Sequence, residues 1–322
     1  MSEAGALPAR IAILLNPGSG RVRRQLPALR RIAATVPGAL LQEAGDAQEI
    51  ARALRHWRAG PQDLVVVLGG DGTLQAVLTA LLQRPAAGLP GLLVVPGGTT
   101  NMSASDLGAR LKPEAALRAL CAWLRGAGPA PQAVRRPVLR IDGEPDLGPQ
   151  FGMFFGTGAI LSGVHYFHRH IRPTGVRGSL GPALALGRLL VSLLGDRPHP
   201  LLPVMPARLS ATDADWQSDW LLVLASTLDR LLVGCRPYWG EEPAPVHVTA
   251  VRHRPRRLLR VLPALLCGRG ARVAREQDGY LSRNLEALSL SGPDDFLLDG
   301  ELFQTRAPIR LSSTPPLCFL TF

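Results

Sequence analysis

The chain has 322 residues, of which 46% are hydrophobic and 19% charged, with 34 Gly and 29 Pro; that length suggests about two domains with real cores and excludes a disulfide-stapled module or a disordered chain. The formal charge of +11 rests on arginine, 35 of the 36 basic residues, because Lys112 is the single lysine, and it favours an anionic partner such as phosphate, nucleic acid or an acidic bilayer. Cys121, Cys235, Cys267 and Cys318 lie far apart with no C-x-x-C pair, which offers neither a zinc knuckle nor a disulfide framework and leads us to expect a reducing, cytoplasmic setting.

In chain order, Arg10 to Leu15 reads as a first strand; it is also the apolar run ahead of Asn16-Pro17, too short for a signal-peptide core. Leu40 to Gln42 gives a weak second strand, Leu64 to Leu68 a third and Leu92 to Val95 a fourth. Helical periodicity covers Arg23 to Thr35, Ala47 to Trp57, Thr73 to Leu82 and Pro113 to Leu124. This alternation predicts an α/β domain with a parallel sheet over residues 1–130. Gly126 to Pro131 (GAGPAP) reads as a linker. After it, short strands between Gly, Pro and Asp clusters predict a second, mostly β domain. Expected strands are Val134 to Ile141, Gln150 to Phe155, Trp216 to Ala225, Val246 to Val251, Ala271 to Arg275, Ala287 to Ser291, Asp295 to Leu298, Ile309 to Leu311 and Leu317 to Leu320. Helical insertions are expected at Leu180 to Leu194 and Arg256 to Leu266. The longest apolar stretches, Phe151 to Val164 and Leu180 to Gly195, fall short of the roughly 20 residues of a membrane span, so the expectation is a soluble protein that touches membranes from outside.

Three strand ends carry the chemistry. Leu68 runs into Gly69-Gly70-Asp71-Gly72-Thr73 with a helix following at once, so backbone N–H groups at the helix start face outward and suit phosphate oxygens. A helix terminus alone is worth roughly 0.3 to 1 kcal/mol to an anion, so a triphosphate also needs arginines or a metal. Asp71 is placed to supply a metal contact or to orient the nucleophile; the plainer alternative is a Gly-rich turn with Asp71 as a cap. Pro96-Gly97-Gly98-Thr99-Thr100-Asn101 repeats the arrangement, and Asn16-Pro17-Gly18-Ser19-Gly20 adds an amide, a hydroxyl and the following Arg21, Arg23 and Arg24. All three lie at carboxyl ends of strands, where open α/β sheets bind ligands. There is no G-x-x-x-x-G-K-[ST], no complete G-x-G-x-x-G and no G-x-S-x-G, which excludes a P-loop, a dinucleotide fingerprint and a hydrolase elbow.

These loops, together with Leu298-Asp299-Gly300-Glu301 near the end, occur in the order and spacing of the diacylglycerol kinase catalytic-domain family, which includes bacterial lipid kinases and sphingosine kinases, and the chain resembles that family over nearly its whole length. The resemblance implies a nucleotide-binding α/β domain akin to NAD kinases and 6-phosphofructokinases, then a mostly antiparallel β-sandwich for the lipid over residues 131–305, with 306–322 returning toward the first domain. It implies ATP as phosphate donor with Mg2+, and nucleotide contacts at Asn16 to Gly20, at Gly69 to Gln75 (Leu74 included), and at Thr99, Thr100 and Asn101. Asp71 would sit near the γ-phosphate and magnesium. Asp299 is expected as the general base, with Glu301 as alternate; Asp-Gly beside a strand end also reads as a hairpin turn. Departures from the common family pattern are Gln75 and Ala76 in place of Asn-Glu, Met102 in place of Asp, and Leu41 in place of a Thr.

The expected activity is therefore transfer of the γ-phosphate of ATP to a hydroxyl of a membrane lipid, of diacylglycerol or sphingoid-base type. The alternatives are an NAD kinase-like phosphotransferase and a catalytically weak nucleotide- or lipid-binding homologue. His165, His168 and His170 match no metal-ligand spacing. Arg252 to Arg257 followed by Leu258 to Leu266 reads as a basic amphipathic element suited to anionic lipid, or as a solvated helix. Nucleic acid is not expected, since aromatics are 5% and no reading motif occurs. The expected partners are a lipid substrate and the inner face of a membrane, with homodimerisation left open.

Overall fold

The computed structural model describes residues 7–84, 88–143, 148–166 and 203–322. The insertion at Leu180 to Leu194 and the residues His168 and His170 lie outside the described residues, as does the side chain of His165. The chain divides into two compact units, Met1–Pro137 with Pro315–Phe322, and Val138–Thr314.

The first unit contains strands β1 (Ile11–Leu15), β2 (Ala39–Glu43), β3 (Leu64–Gly69), β4 (Gly91–Pro96), β5 (Gln132–Arg136) and β17 (Leu317–Thr321) in the order β2-β1-β3-β4-β17-β5. All neighbours are parallel except β17 and β5. The central strands β1 and β3 are buried at every residue, which is why their sequences are unbroken Ile/Leu/Val runs. β2 is an edge strand and alternates in exposure, hence its weak signal. The helices are α1 (Gly20–Ala33), α2 (Ala47–Trp57), α3 (Asp71–Leu82), α4 (Met102–Asp106) and α5 (Pro113–Leu124). Val22, Leu29 and Ala33 of α1 and Ala116, Leu117 and Leu120 of α5 share one core with Ile13, Val66 and Leu68; each fully buried Val, Leu or Ile side chain there stabilises by about 1.5–3 kcal/mol. α3 is buried at every position from Thr73 to Leu78.

The division falls at Pro137/Val138 and Thr314/Pro315, displaced from 130/131 and 305/306, because β5 pairs with β17. The run expected as one strand from Val134 to Ile141 is two strands in different sheets. Pro137 has no N–H to carry a ladder, and β6 (Leu139–Asp142) pairs elsewhere.

The second unit is antiparallel throughout its described strands, as the resemblance implies. Besides β6 it contains β7 (Gln150–Gly152), β8 (Phe154–Gly158), β9 (Met205–Ser210), β10 (Asp215–Ser226), β11 (Val246–Arg252), β12 (Tyr280–Leu285), β13 (Ala287–Ser291), β14 (Asp295–Leu298), β15 (Glu301–Gln304) and β16 (Ile309–Ser313), with helices α6 (Ala159–Tyr166) and α7 (Leu258–Leu266). Their order is β15-β14-β8-β10-β9-β13-β16-β6-β7, with β11 on β10 and β12 on β11. The first half of β10 pairs with β9 and the second with β8 and β11, the register shifting between Trp220 and Leu222. A bulge there bends the strand, so both parts of the sheet line one core that includes Leu139, Phe155, Leu209, Trp220, Val248 and Leu311.

Strands β9, β12 and β15 are not anticipated by the sequence reading; β9 contains Pro206, and β15 is largely exposed. Conversely, Ala271 to Arg275 is not a strand. The N–H groups of Val273 and Ala274 both donate to the Gly270 carbonyl, closing a 3-10 turn over Gly270–Arg272.

Candidate functional site

The three glycine loops of the first unit converge. Asn16 leaves β1 and donates from its Nδ2 to Thr73 Oγ1 of α3 at 2.9 Å, while its Oδ1 accepts the Gly18 N–H at 2.8 Å. Ser19 Oγ lies 3.4 Å from the same Thr73 hydroxyl. The loops after β3 and β4 are joined by Gly97 N–H donating to the Gly69 carbonyl at 2.7 Å. Their glycines are steric requirements: a Cβ on Gly98 would lie 2.5 Å from Gly70 Cα, and one on Gly20 would lie 2.6 Å from Thr99 Oγ1.

Asp71 ties the second loop to the third. Its two carboxylate oxygens accept the N–H groups of Met102 at 3.0 Å and Ser103 at 2.9 Å, the first turn of α4. Burial pushes the Asp71 carboxyl above the ordinary aspartate value, against the lowering effect of those N–H donors. Position 102 contributes its backbone, so Met102 serves this tie as well as the family's more common Asp. Asp71 is thus a cap, as the plainer reading had it, but on a neighbouring helix instead of its own.

That distinction decides which helix start is open to an anion. The first turn of α4 is taken by Asp71, and the Arg21 and Val22 N–H groups of α1 donate to the Gly97 carbonyl at 2.8 and 3.2 Å. α3, twelve residues long from Asp71, has Gly70 as its N-cap and no side-chain cap, so its first turn keeps the unpaired N–H groups that suit an anion. Thr99 and Thr100 of the third loop are exposed, as are Arg21, Arg23 and Arg24 of α1.

Other residues of the expected set are buried. Leu74 is core. Gln75 is buried, its amide donating to Thr79 Oγ1 at 3.0 Å within α3. Asn101, buried and in the left-handed region at φ 54°, accepts the Gly98 N–H at 2.6 Å and donates to the Gly98 carbonyl at 2.9 Å, so its amide shapes the turn. A protein-built magnesium site does not fit these residues. Both Asp71 oxygens are engaged by backbone donors and position 76 is alanine. Among the described residues no group of three or more His, Cys, Asp or Glu is placed to hold a metal.

In the second unit, Asp299 and Gly300 are the two central residues of the β14–β15 hairpin, with Leu298 opposite Glu301 and φ values of 48° and 96°. Asp-Gly suits such a turn because both positions need positive φ. Asp299 is nevertheless more than a turn residue. It is buried, its own N–H donates to the Phe154 carbonyl at 2.9 Å, and its oxygens accept the N–H groups of Met153 at 2.8 Å and Phe154 at 2.9 Å. Met153 therefore leaves the ladder and splits the run expected from Gln150 to Phe155 into β7 and β8. A Cβ on Gly152 would lie 2.6 Å from Asp299 Oδ2, so Gly152 clears the carboxylate. Sequence reasoning missed Gly152, Met153 and Phe154; the glycine ahead of two strand residues was the available signal. Glu301 is exposed, one residue beyond the turn.

Residues 10–125 match the diacylglycerol kinase catalytic domain. The chain is 29% identical over 182 residues to a probable lipid kinase YegS-like protein of Stenotrophomonas maltophilia (strain K279a), covering 56% of this chain and 51% of that protein. It is 30% identical over 112 residues to sphingosine kinase 1 of Rattus norvegicus, covering 31% of this chain and 28% of that protein. The matches thus span about half the length of the first relative and under a third of the second. Two solved structures from Bacillus anthracis str. Sterne, a diacylglycerol kinase and a putative diacylglycerol kinase, align over 98% of both chains with TM-scores of 0.62 and 0.66 at 14% and 15% identity, a likeness of fold. The glycine loops of residues 16–20, 69–73 and 96–101 all lie inside the segment that matches the diacylglycerol kinase catalytic domain.

Proposed function

We propose that the protein transfers the γ-phosphate of ATP to a hydroxyl of a membrane lipid of diacylglycerol or sphingoid-base type. The observation that carries this reading is the uncapped start of α3 at the convergence of three glycine loops, where its two neighbouring helix starts are already engaged. In this reading the first-turn N–H groups of α3 hold the phosphate oxygens, with Asn16, Ser19, Thr73 and Thr99 around them. Arg21, Arg23 and Arg24 offset the triphosphate charge. The lipid oxygen forms the new O–P bond as the bond from the γ-phosphorus to the bridging oxygen breaks and ADP leaves.

The acceptor hydroxyl must lose its proton. Asp299 is poorly suited to take it, because both its oxygens already accept N–H groups in a buried site. Glu301, exposed and adjacent, is assigned that role, and Asp299 positions the turn that presents it. A positioned general base contributes roughly 10²–10⁴-fold.

The test is incubation of the full chain with γ-labelled ATP and, separately, a lipid extract and NAD. Label is expected in the lipid phase, and Glu301→Gln should lower it about a hundredfold or more while ATP still raises the melting temperature. Label on NAD alone, or ATP binding with no lipid labelled, would overturn the assignment.

A further inference from the structure

Three segments of the second unit form one platform outside its main core. The first is the turn over Leu231–Arg236, the second α7, and the third the 3-10 turn over Gly270–Arg272 with the residues after it. The Arg236 N–H donates to the Leu266 carbonyl at 2.8 Å, and the Arg269 N–H donates to the Ala264 carbonyl at 2.8 Å, so the flanking turns are fastened to the end of α7. On the inner side Val261 and Leu265 of α7 pack with Ala274, Leu221 and Tyr280. The same three segments keep large apolar groups in solvent: Val233 is 71% exposed, Leu259 45% and Val273 44%.

Charge on this platform has one sign. From Arg252 to Arg275 the sequence contains eight arginines and no acidic residue. Arg254, Arg257, Arg260, Arg269 and Arg272 are all exposed, and no described carboxylate pairs with them; Arg256 reaches Asp278 only at 3.9 Å. Backbone strain is concentrated here too. Six non-glycine residues among those described have positive φ, and three of them are Val233, Arg254 and Arg257. Two of the others shape turns already described, Asn101 in the third glycine loop of the first unit and Asp299 in the β14–β15 hairpin of the second. For a β-branched residue such as Val233 that conformation is a genuine outlier, and strain of this kind persists where it serves function. At Val233 it holds an apolar side chain out in water.

We propose that this platform docks on an anionic lipid bilayer, its arginines against the headgroups and Val233, Leu259 and Val273 entering the interface. Arginines alone would suit any polyanion; exposed aliphatic groups set among them, with no exposed aromatic residue for base stacking among the described residues, suit a membrane surface. The choice of a bilayer over nucleic acid also rests on the lipid acceptor proposed above.

The experiment is sedimentation of the full chain with vesicles of phosphatidylcholine alone or with roughly a third phosphatidylglycerol, near physiological ionic strength. Wild type should partition onto the anionic vesicles. The variant Arg257→Gln/Arg260→Gln/Arg272→Gln should bind them about tenfold to a hundredfold more weakly. Leu259→Ser/Val273→Ser should also weaken binding severalfold, chiefly the part that survives high salt. Both variants should keep the wild-type melting temperature and its rise with ATP. Unchanged partitioning in both, equal binding to phosphatidylcholine alone, tighter binding to a short DNA duplex, or a dimer lost in the same variants would overturn the proposal. Vesicle binding without lipid phosphorylation would remove the kinase reading and leave docking standing. Phosphorylation of detergent-dispersed lipid by a protein whose variants dock like wild type would do the reverse.

Discussion

Each unit contains one carboxylate that accepts two consecutive backbone N–H groups, and the two pins differ in what they leave exposed. Asp71 reaches from the start of α3 to Met102 and Ser103, 31 and 32 residues on, and by closing α4 it leaves its own helix start open for an anion. Asp299 reaches back 146 and 145 residues to Met153 and Phe154, and the group left outside is the side chain of Glu301, one turn residue away. In neither case is the pinning carboxylate the group offered to a ligand. In the first unit the offered group is backbone at a helix terminus; in the second it is a side chain on a hairpin.

Removing the pins should produce the largest effects and test whether they act separately. Asp299→Ala orphans two N–H groups and puts alanine in a left-handed conformation, a loss of about 4 kcal/mol from the second unit. Asp71→Ala orphans two N–H groups without that conformational cost, about 3 kcal/mol from the first. Amide exchange read by mass spectrometry should speed up over residues 150–156 in the former and over 99–106 in the latter. Asp299→Asn, which tolerates positive φ and keeps one acceptor, should recover about half the loss. If either variant left exchange in its own unit unchanged, the carboxylate would not be a pin.

Smaller effects separate two reasons for being glycine. At Gly98 the constraint is space, since a Cβ would sit 2.5 Å from Gly70 Cα, so Gly98→Ala forces the two loops apart at about 2 kcal/mol and abolishes the stabilisation of the protein by ATP. At Gly300 the constraint is φ alone, 96° with nothing within 4 Å of a Cβ. Gly300→Ala therefore costs about 1–2 kcal/mol and leaves ATP-dependent stabilisation intact. Thermal shifts with and without ATP distinguish the two; equal loss of the ATP effect in both would remove the loops' special role.

The same contrast governs what could be read beforehand. In the first unit each loop directly follows a buried strand and precedes a helix, so Gly69 to Thr73 and Gly97 to Asn101 announce their place in the fold, and α2 and α5 begin and end where their periodicity does. The partners there are one βα unit away. In the second unit, Asp299 needs Gly152, Met153 and Phe154, nearly half the chain earlier, and no local pattern marks that pairing. β15 is four residues long and largely exposed, β9 is interrupted by Pro206, and Pro137 conceals a change of sheet within one β-rich run. Even in the first unit, which oxygen of which loop takes which N–H could not be read: Asp71 looked like a ligand group, and packing made it a cap.

The smallest effect is confined to the second unit by composition, because Tyr166, Tyr238 and Tyr280, the three tyrosines of the chain, all fall within Val138–Thr314. The Tyr280 hydroxyl donates to the Arg256 carbonyl at 2.6 Å beneath the basic platform. Burial, with Asp278 adding to it, pushes its pKa up to about 12. An unfolded tyrosine titrates near 10, so the neutral hydroxyl's contribution is complete below about pH 10 and is lost as pH rises through about 12. Phenolate absorbance in an alkaline titration should therefore contain a step near pH 12 that Tyr280→Phe removes. A titration curve unchanged by the substitution at that step would loosen the link between α7 and the strand beneath it.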